Sequence, residues 1–408
     1  MKTQWLSPKS LKRIQNMKLR EIITYAYGNV PYYHEVLKER RLKPEDIKDT
    51  SDLAKLPFLT KDMVRNNFTK LQARNIQNLK PILQFTSGST GKPLSFYITM
   101  ERMKFENALA WRHWNWAGCN PGDRRAEIRY GVEPYLWWQK RNVLRFSSYH
   151  MTTKNAGLYV NRLREFDPKV IRGFPSSLYI LARYMKREGV KFKVKSVITA
   201  SETLFDEQRK DIEEQFGCKV FDWYGLNECV VTASECPEGN YHINSEGGIM
   251  EFIKDEEYAT PSETAEIVGT QFGNYAMPLI RYRHEDLGSY TDERCSCGRG
   301  LPILKSLLGR TDDMIVTPDG RLIGRLDDAL KYSLGIYQIQ LIQKSVEELT
   351  IKVVKGPSFS EKGITRLEKE LRKRLGNEIR INTAFVNNIP KTKTGKCRVV
   401  ISEIPLKL

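Results

Sequence analysis

The sequence predicts an α/β fold: a large N-terminal domain with β-sheets flanked by helices, residues 1–309, and a small α+β C-terminal domain, residues 310–408. Three observations predict it. Apolar strand-like segments alternate with amphipathic helical ones up to Phe221, short strands crowd Gly247 to Tyr290, and the pattern restarts after Gly309-Arg310.

Lys9 to Tyr27 has helical apolar spacing, and Pro31-Tyr32-Tyr33 is expected to break it; residues up to Lys80 read as helical and irregular. Ile82-Leu83-Gln84-Phe85 and Leu94 to Thr99 are rich in apolar, aromatic and β-branched residues and read as strands. Glu101 to Trp116 reads as a helix with an aromatic face. A helix from Pro175 to about Glu188 is ended by Gly189. A strand Val194–Thr199, a helix Asp206–Phe216 and a strand Cys218–Phe221 follow. Glu251-Phe252-Ile253 and Ala265-Glu266-Ile267-Val268 are strands, and Arg281 to Asp286 is read as the end of another. Beyond a boundary at Arg310-Thr311-Asp312-Asp313, Leu349–Val354 alternates like a strand, Ser360–Leu375 like an amphipathic helix, and Arg380–Val386 like a strand.

The chain has 408 residues, 40% of them hydrophobic, enough for two or three packed domains. No apolar run approaches the length of a membrane span, and Met1-Lys2-Thr3-Gln4-Trp5 opens no signal segment, so a cytoplasmic protein is expected. The formal net charge is +17, spread along the chain without a nucleic-acid reader motif. That favours anionic small molecules over nucleic acid. Seven cysteines in a reducing compartment are not expected to form disulfides.

Two segments carry the chemistry. Thr86-Ser87-Gly88-Ser89-Thr90-Gly91-Lys92 packs hydroxyls, glycines and a lysine into one loop, which suits a polyphosphate. Its spacing differs from that of the P-loop, and it joins two strands instead of opening a helix. The bland alternative is a hairpin without a ligand. Pro390 to Lys396 is a second basic loop near the other end. Together they point to an enzyme that binds ATP in one domain and completes its site from another. Between them, Tyr224-Gly225-Leu226-Asn227-Glu228 and Ala200-Ser201-Glu202-Thr203 follow strands, where open α/β sheets place ligands. Tyr224 could stack on a base or simply be core. Glu228 could hold Mg²⁺, and Asp286 could bind ribose hydroxyls or serve a turn.

Cys236-x5-His242 followed by Cys295-x-Cys297 makes a Cys₃His set that suits a closed, structural zinc site; the alternative is unliganded thiols and a satisfied histidine. Cys119, Cys218, Cys229 and Cys397 have no such spacing. Trp111 to Trp116, with Trp137-Trp138, reads first as a buried helix face and second as an acyl-pocket lining.

In this order the strings resemble the adenylate-forming superfamily, most closely its phenylacetate–CoA ligase branch and the relatives encoded with capsular polysaccharide genes. The resemblance begins at Val30-Pro31-Tyr32-Tyr33 and Leu56-Pro57-Phe58-Leu59-Thr60-Lys61 and ends at Lys396. It implies that a carboxylate attacks the α-phosphorus of ATP to give an acyl-adenylate, and that a nucleophile, the CoA thiol or an amine or hydroxyl, then takes the acyl group. It implies that Thr86 to Lys92 handles the phosphates and that Ser201, Glu202 and Tyr224 frame adenine, with Gly225 and Asn227 beside the nucleotide. It further implies that Glu228 ligates Mg²⁺, that Asp286 and Arg310 hold the ribose, and that Asp312 is the hinge of a mobile C-terminal domain delivering the catalytic Lys396. Asn227 stands where the family usually has Thr or Ser, and His284-Glu285 replaces a usual Thr-Gly. The expected chemistry is an ATP- and Mg²⁺-dependent acid–CoA ligase, monomeric or homodimeric. The alternatives are a CoA-independent amide- or ester-forming ligase of polysaccharide or natural-product biosynthesis, and a nucleotide-binding module without catalysis. The intact Lys92, Glu228, Asp286 and Lys396 argue against the last.

Overall fold

The structure, a computed structural model, describes residues 2–86, 94–129, 137–148, 150–151, 155–202, 204, 206–307, 315–323, 326, 336–356, 359–389 and 400–404. In chain order, Ser7 caps α1 (Pro8–Asn29) by accepting from the Ser10 N–H at 3.2 Å. Pro31 ends α1 but does not begin a loop. Its fixed φ opens a second helix, α2 (Pro31–Glu39), at the one helical position where a missing N–H costs nothing. After α3 (Lys61–Asn66), strands β1 (Ile82–Thr86) and β2 (Leu94–Ile98) pair with each other, so the glycine-serine segment does join two paired strands. Thr99 caps α4 (Met100–Trp116).

The middle of the chain alternates β3 (Arg125–Arg129), β4 (Trp137–Lys140), β5 (Val143–Ser147), α5 (Ala156–Phe166), β6 (Val170–Gly173), α6 (Pro175–Arg187), β7 (Ser196–Ala200), α7 (Asp206–Phe216) and β8 (Lys219–Gly225). Strands then dominate: β9 (Thr232–Glu235), β10 (Tyr241–Ile243), β11 (Gly248–Lys254), β12 (Glu257–Tyr258), β13 (Ala265–Gln271), β14 (Tyr282–Thr291) and β15 (Ile303–Leu307). The C-terminal part holds β16 (Ile315–Val316), β17 (Leu322–Ile323), β18 (Ile336–Ser345), β19 (Glu348–Lys355), α8 (Glu361–Leu375), β20 (Arg380–Phe385) and β21 (Val400–Ser402).

The chain divides into two compact units. The first comprises Met1–Phe85, Leu94–Ala117 and Phe221–Arg310. Its strands run in the order β12-β11-β13-β14-β15-β10-β9-β8, antiparallel throughout. Leu19, Ile22, Tyr33, Phe96, Ile267 and Tyr282 are among the side chains of its main core. Gly248 is required where β11 passes the chain beside it: a Cβ there would stand 2.3 Å from the Val230 carbonyl oxygen.

The second unit contains Gly118–Val220 and Thr311–Leu408 and has two separate cores. In one, parallel β7, β6, β3 and β5, with β4 antiparallel at the edge, bury Ala126, Ile128, Leu144, Phe146 and Ile171 beside α5 and α6. In the other, β20-β19-β18-β21 pack against Ile364, Leu367, Leu371 and Leu375, one helical stripe of α8. Arg321 donates to the Leu375 carbonyl at 2.7 Å, closing the end of α8. Among the described residues no helix is long and apolar enough to cross a membrane.

Candidate active site and metal centre

In the first unit two strands exchange tyrosines for carboxylates. Tyr224, near the end of β8, donates its hydroxyl to Asp286 Oδ2 at 2.8 Å. Tyr282, at the start of β14, donates to Glu228 Oε1 at 2.9 Å, and Glu228 lies three residues past the end of β8. Each segment thus supplies one donor and one acceptor. Asp286 is 6% exposed, Glu228 5% and Tyr224 8%. A hydrogen bond to a carboxylate contributes about 1.5–3 kcal/mol, and these two fix the orientation of the buried side chains. His284, fully buried on the same face of β14, brings Nδ1 to 3.3 Å from Asp286 Oδ2.

Two sequence expectations are corrected here. Asp286 does not end a strand; it sits inside β14, in the buried alternation Tyr282, His284, Asp286. Tyr224 and Gly225 do not follow a strand but are the last residues of β8, and Tyr224 is packed in the core. Gly225 is needed there, since a Cβ would stand 2.7 Å from the Trp223 indole nitrogen.

The surroundings fix this pair of segments. Leu59 bridges Tyr282, with its N–H on the Arg281 carbonyl and its own carbonyl accepting from Arg283, both at 2.9 Å. Phe58 lies under the guanidiniums of Arg281 and Arg283 at 4.0 and 4.1 Å, and Lys61 pairs with Glu285 at 2.9 Å. The quoted string from Leu56 to Lys61 is therefore a clamp on β14. Gln271 donates to the Glu228 carbonyl at 2.7 Å, and Arg102 donates to the Cys229 carbonyl at 2.6 Å. Cys229, Arg281 and Glu285 all have left-handed φ, at 54°, 50° and 70°. Such conformations cost on the order of 1–3 kcal/mol each and cluster at functional sites. Asn227, exposed, donates to the Phe85 carbonyl at 2.9 Å, tying it to the base of the β1–β2 hairpin.

Ser201 and Glu202 belong to the second unit and directly follow β7; Ser201 too is left-handed, with φ 79°. Thr86 is the last residue of β1. Ser87, Gly88, Ser89, Thr90, Gly91, Lys92, Arg310, Asp312 and Lys396 lie outside the described residues. Sequence reasoning missed Tyr282, Gln271, Lys61 and Arg102. Only the period-two burial of Tyr282, His284 and Asp286 could have signalled the first.

The Cys₃His set converges. The ligand atoms of Cys236, His242, Cys295 and Cys297 all lie within 4.8 Å of one another, with Cys236 Sγ–Cys295 Sγ at 3.6 Å and Cys297 Sγ–His242 Nε2 at 3.2 Å. Sulfurs held at about 2.3 Å around tetrahedral zinc stand about 3.7 Å apart, so these residues fit the ion. His242 Nδ1 is 3.2 Å from the Leu301 carbonyl, which leaves Nε2 for a metal, and Asn240 donates to Cys295 Sγ at 3.3 Å. Burial lowers the His242 pKa, favouring the neutral form that binds metal. Burial also pushes the Cys236 thiol up to about 12, a cost that a bound cation would reverse. The N-terminus seals the cluster: Gln4 accepts from Trp116 Nε1 at 2.7 Å and from the Gly300 N–H at 2.9 Å, and Arg299 lies 4.1 Å over the Trp116 ring. Trp116 and His113 are thus buried helix face, and Arg112 on the same helix pairs with buried Glu246 at 2.6 Å.

Residues 315–403 match the model of the CapK C-terminal domain. Protein CapK of Staphylococcus aureus is 26% identical over 97% of this chain and 90% of its own length. A phenylacetate–coenzyme A ligase of Thermus thermophilus is 25% identical over 97% of both chains. A 2-hydroxyisobutyryl-CoA ligase solved with its acyl-adenylate and CoA superposes with a TM-score of 0.65, at 20% identity, over 98% of this chain and 91% of that one. The resemblance carried by the motifs is borne out, and so is the fold class, a large α/β N-terminal domain followed by a small C-terminal one.

Proposed function

We propose that the protein is an ATP-dependent, AMP-forming ligase that activates a carboxylate as its acyl-adenylate and passes the acyl group to a nucleophile, the CoA thiol first among the candidates. The observation that carries this reading is the reciprocal Tyr224–Asp286 and Tyr282–Glu228 pairing. It orients two carboxylate side chains in a chain whose relatives include acid–CoA ligases. Carboxylate and triphosphate repel, so the reaction needs cationic and dipolar neutralisation at the α-phosphorus. In this reading Asp286 and Arg310 hold the ribose. Glu228 would hold Mg²⁺, which neutralises the phosphates when bound. Ser201, Glu202 and the Tyr224 ring frame adenine, and Thr86 to Lys92 wraps the phosphates. Lys396 arrives by rotation of the small domain, residues 310–408, about Asp312. The zinc site is structural, and the enzyme works in the cytoplasm as a monomer or homodimer.

The match of residues 315–403 to the CapK C-terminal domain favours a second reading: an amide- or ester-forming ligase of polysaccharide or natural-product biosynthesis that does not use CoA. Pyrophosphate release across a panel of carboxylic acids, with and without CoA, tests both. Acid-dependent release with a CoA thioester product supports the first reading. Release with no thioester supports the second. No acid-dependent release with any acid rejects the ligase assignment.

A further inference from the structure

The turn that carries Glu228 is fixed at two points. Tyr282 holds its carboxylate, and two buried side chains from elsewhere in the first unit hold its backbone. Arg102, in the first turn of α4, donates Nε and Nη2 to the Cys229 carbonyl at 3.2 and 2.6 Å. Gln271, the last residue of β13, donates Nε2 to the Glu228 carbonyl at 2.7 Å and to the Cys229 carbonyl at 3.1 Å. Two successive carbonyls between β8 and β9 thus receive four donations.

The backbone they hold explains so dense a clamp. Cys229 has φ 54°, a conformation that costs a residue with a Cβ on the order of 1–3 kcal/mol. A single neutral hydrogen bond, worth about 1 kcal/mol net, does not secure it; donation from a guanidinium, worth about 1.5–3 kcal/mol, together with Gln271 does. The Cys229 N–H closes the turn on the Leu226 carbonyl at 3.0 Å. The chain beyond has no slack, since a Cβ on Gly269 would run into the Val230 side chain. Arg102 is itself held: its N–H bonds Thr99 Oγ1 at 3.2 Å, its guanidinium lies 5.4 Å from the Phe105 ring centre, and Nη2 pairs with Glu106 at 3.2 Å. Lys18, on the same ring at 4.9 Å, bonds the Glu246 carbonyl at 2.6 Å. With its charge matched by Glu106, Arg102 acts on the turn through hydrogen-bond geometry.

We propose that Arg102 and Gln271 are positioning residues for Glu228: by fixing the Glu228 and Cys229 carbonyls they set where the Glu228 side chain leaves the turn, and so how its carboxylate meets the metal ion of a bound nucleotide. This role rests on the reading of Glu228 as the residue that holds that ion. Groups that orient a metal ligand are typically worth about 10–100-fold in metal affinity.

Manganese(II) stands in for Mg²⁺ and is followed by electron paramagnetic resonance. Titrated into the full-length protein saturated with α,β-methylene-ATP, which cannot form an adenylate, it reads metal binding without turnover. Arg102→Lys keeps a cation beside Glu106 but loses the fork on the Cys229 carbonyl, and Gln271→Met keeps the length of the side chain but loses both donations. Each should weaken Mn²⁺ binding roughly 10–100-fold while circular dichroism stays that of the wild type. Glu228→Gln should weaken it at least as much. Adding Arg102→Lys to Glu228→Gln should then cost little more, because residues that act through one ligand are not additive. Losses that add would mark Arg102 as a general support of the fold and overturn the proposal, as would wild-type Mn²⁺ affinity in both Arg102→Lys and Gln271→Met. Wild-type affinity in Glu228→Gln would instead overturn the metal-holding reading, and the proposal with it. Should Arg102→Lys fail to fold, Gln271→Met with Glu228→Gln completes the same cycle.

Discussion

Two buried polar clusters of the same unit, the tyrosine–carboxylate exchange between β8 and β14 and the Cys₃His cluster at β9, β10 and the segment before β15, solve burial in opposite ways. In the first, Tyr224 and Tyr282 donate to Asp286 and Glu228, so both side chains are held in place before any ligand arrives. In the second, the contacts of 3.6 and 3.2 Å are weak sulfur hydrogen bonds, and four ligand atoms lie within 4.8 Å of one another, with the Arg299 guanidinium bonded to Cys297 at their edge. In one cluster the carboxylates accept from tyrosines of the chain itself; the other gathers four ligand atoms that fit a zinc ion and joins segments far apart in sequence. The contrast teaches that burial alone does not identify an active site; what matters is whether the polar atoms are satisfied by one another.

The sharpest way to break the comparison is Glu228→Gln. It keeps the shape and the bond to Tyr282 but removes the charge, so acid-dependent pyrophosphate release should fall roughly 10²–10³-fold, the range for losing a preorganised electrostatic group. Zinc content by elemental analysis should not change. Activity within a few-fold of wild type would place the chemistry elsewhere. Cys295→Ser should do the reverse. Zinc content and melting temperature should drop together, with at least about 2 kcal/mol of stability lost, because a structural metal contributes folding free energy directly. The protein that remains folded should adenylate at close to the wild-type rate. Purified wild type without zinc, and a mutant equally stable, would remove the metal from the account.

A smaller effect is expected from Tyr224→Phe, which deletes the donor to Asp286 without a cavity. The cost of about 1–3 kcal/mol should appear as a roughly tenfold rise in the KM for ATP, with kcat largely kept. A change in kcat alone would argue against a nucleotide-holding role for Asp286. The smallest separates the clusters by pH. Burial puts the folded His242 pKa below its ordinary 6.5, so folding favours the neutral ring. That contribution is complete above 6.5 and is lost as the pH falls. Protons also compete with metal for the thiolates. The difference in melting temperature between zinc-loaded and chelated protein should therefore shrink on acidification, and a difference that grows would contradict a thiolate–imidazole site.

Much of this was legible in the chain. The density of hydroxyls and glycines at Thr86 to Lys92 between two strand-like flanks marked a hairpin loop, and β1 and β2 do pair. The Cys₃His spacing marked a cluster reaching from Cys236 to Cys297, and the sheet register brings the four residues together. Other features depend on tertiary geometry. Arg281 to Asp286 looked like a strand end because it is polar, but the polar side chains are paid for by Lys61, Glu251, Tyr224 and the Phe58 ring. Pro31 looked like a breaker, and its neighbour Val30 ends one helix and begins the next. The Tyr282–Glu228 bond joins residues 54 apart and has no local signature.

The central claim is that this chain makes an acyl-adenylate, and the most direct measurement is mass-spectrometric detection of acyl-AMP. Wild type and Lys396→Ala would be incubated with Mg-ATP and a panel of carboxylic acids, with no acceptor present. At least one acid should give acyl-AMP and pyrophosphate in equal amounts with the wild type, and Lys396→Ala should give roughly 10²–10³-fold less under the same conditions. Conversion of ATP to ADP, or wild-type protein that binds ATP yet yields acyl-AMP with no acid, would contradict the claim.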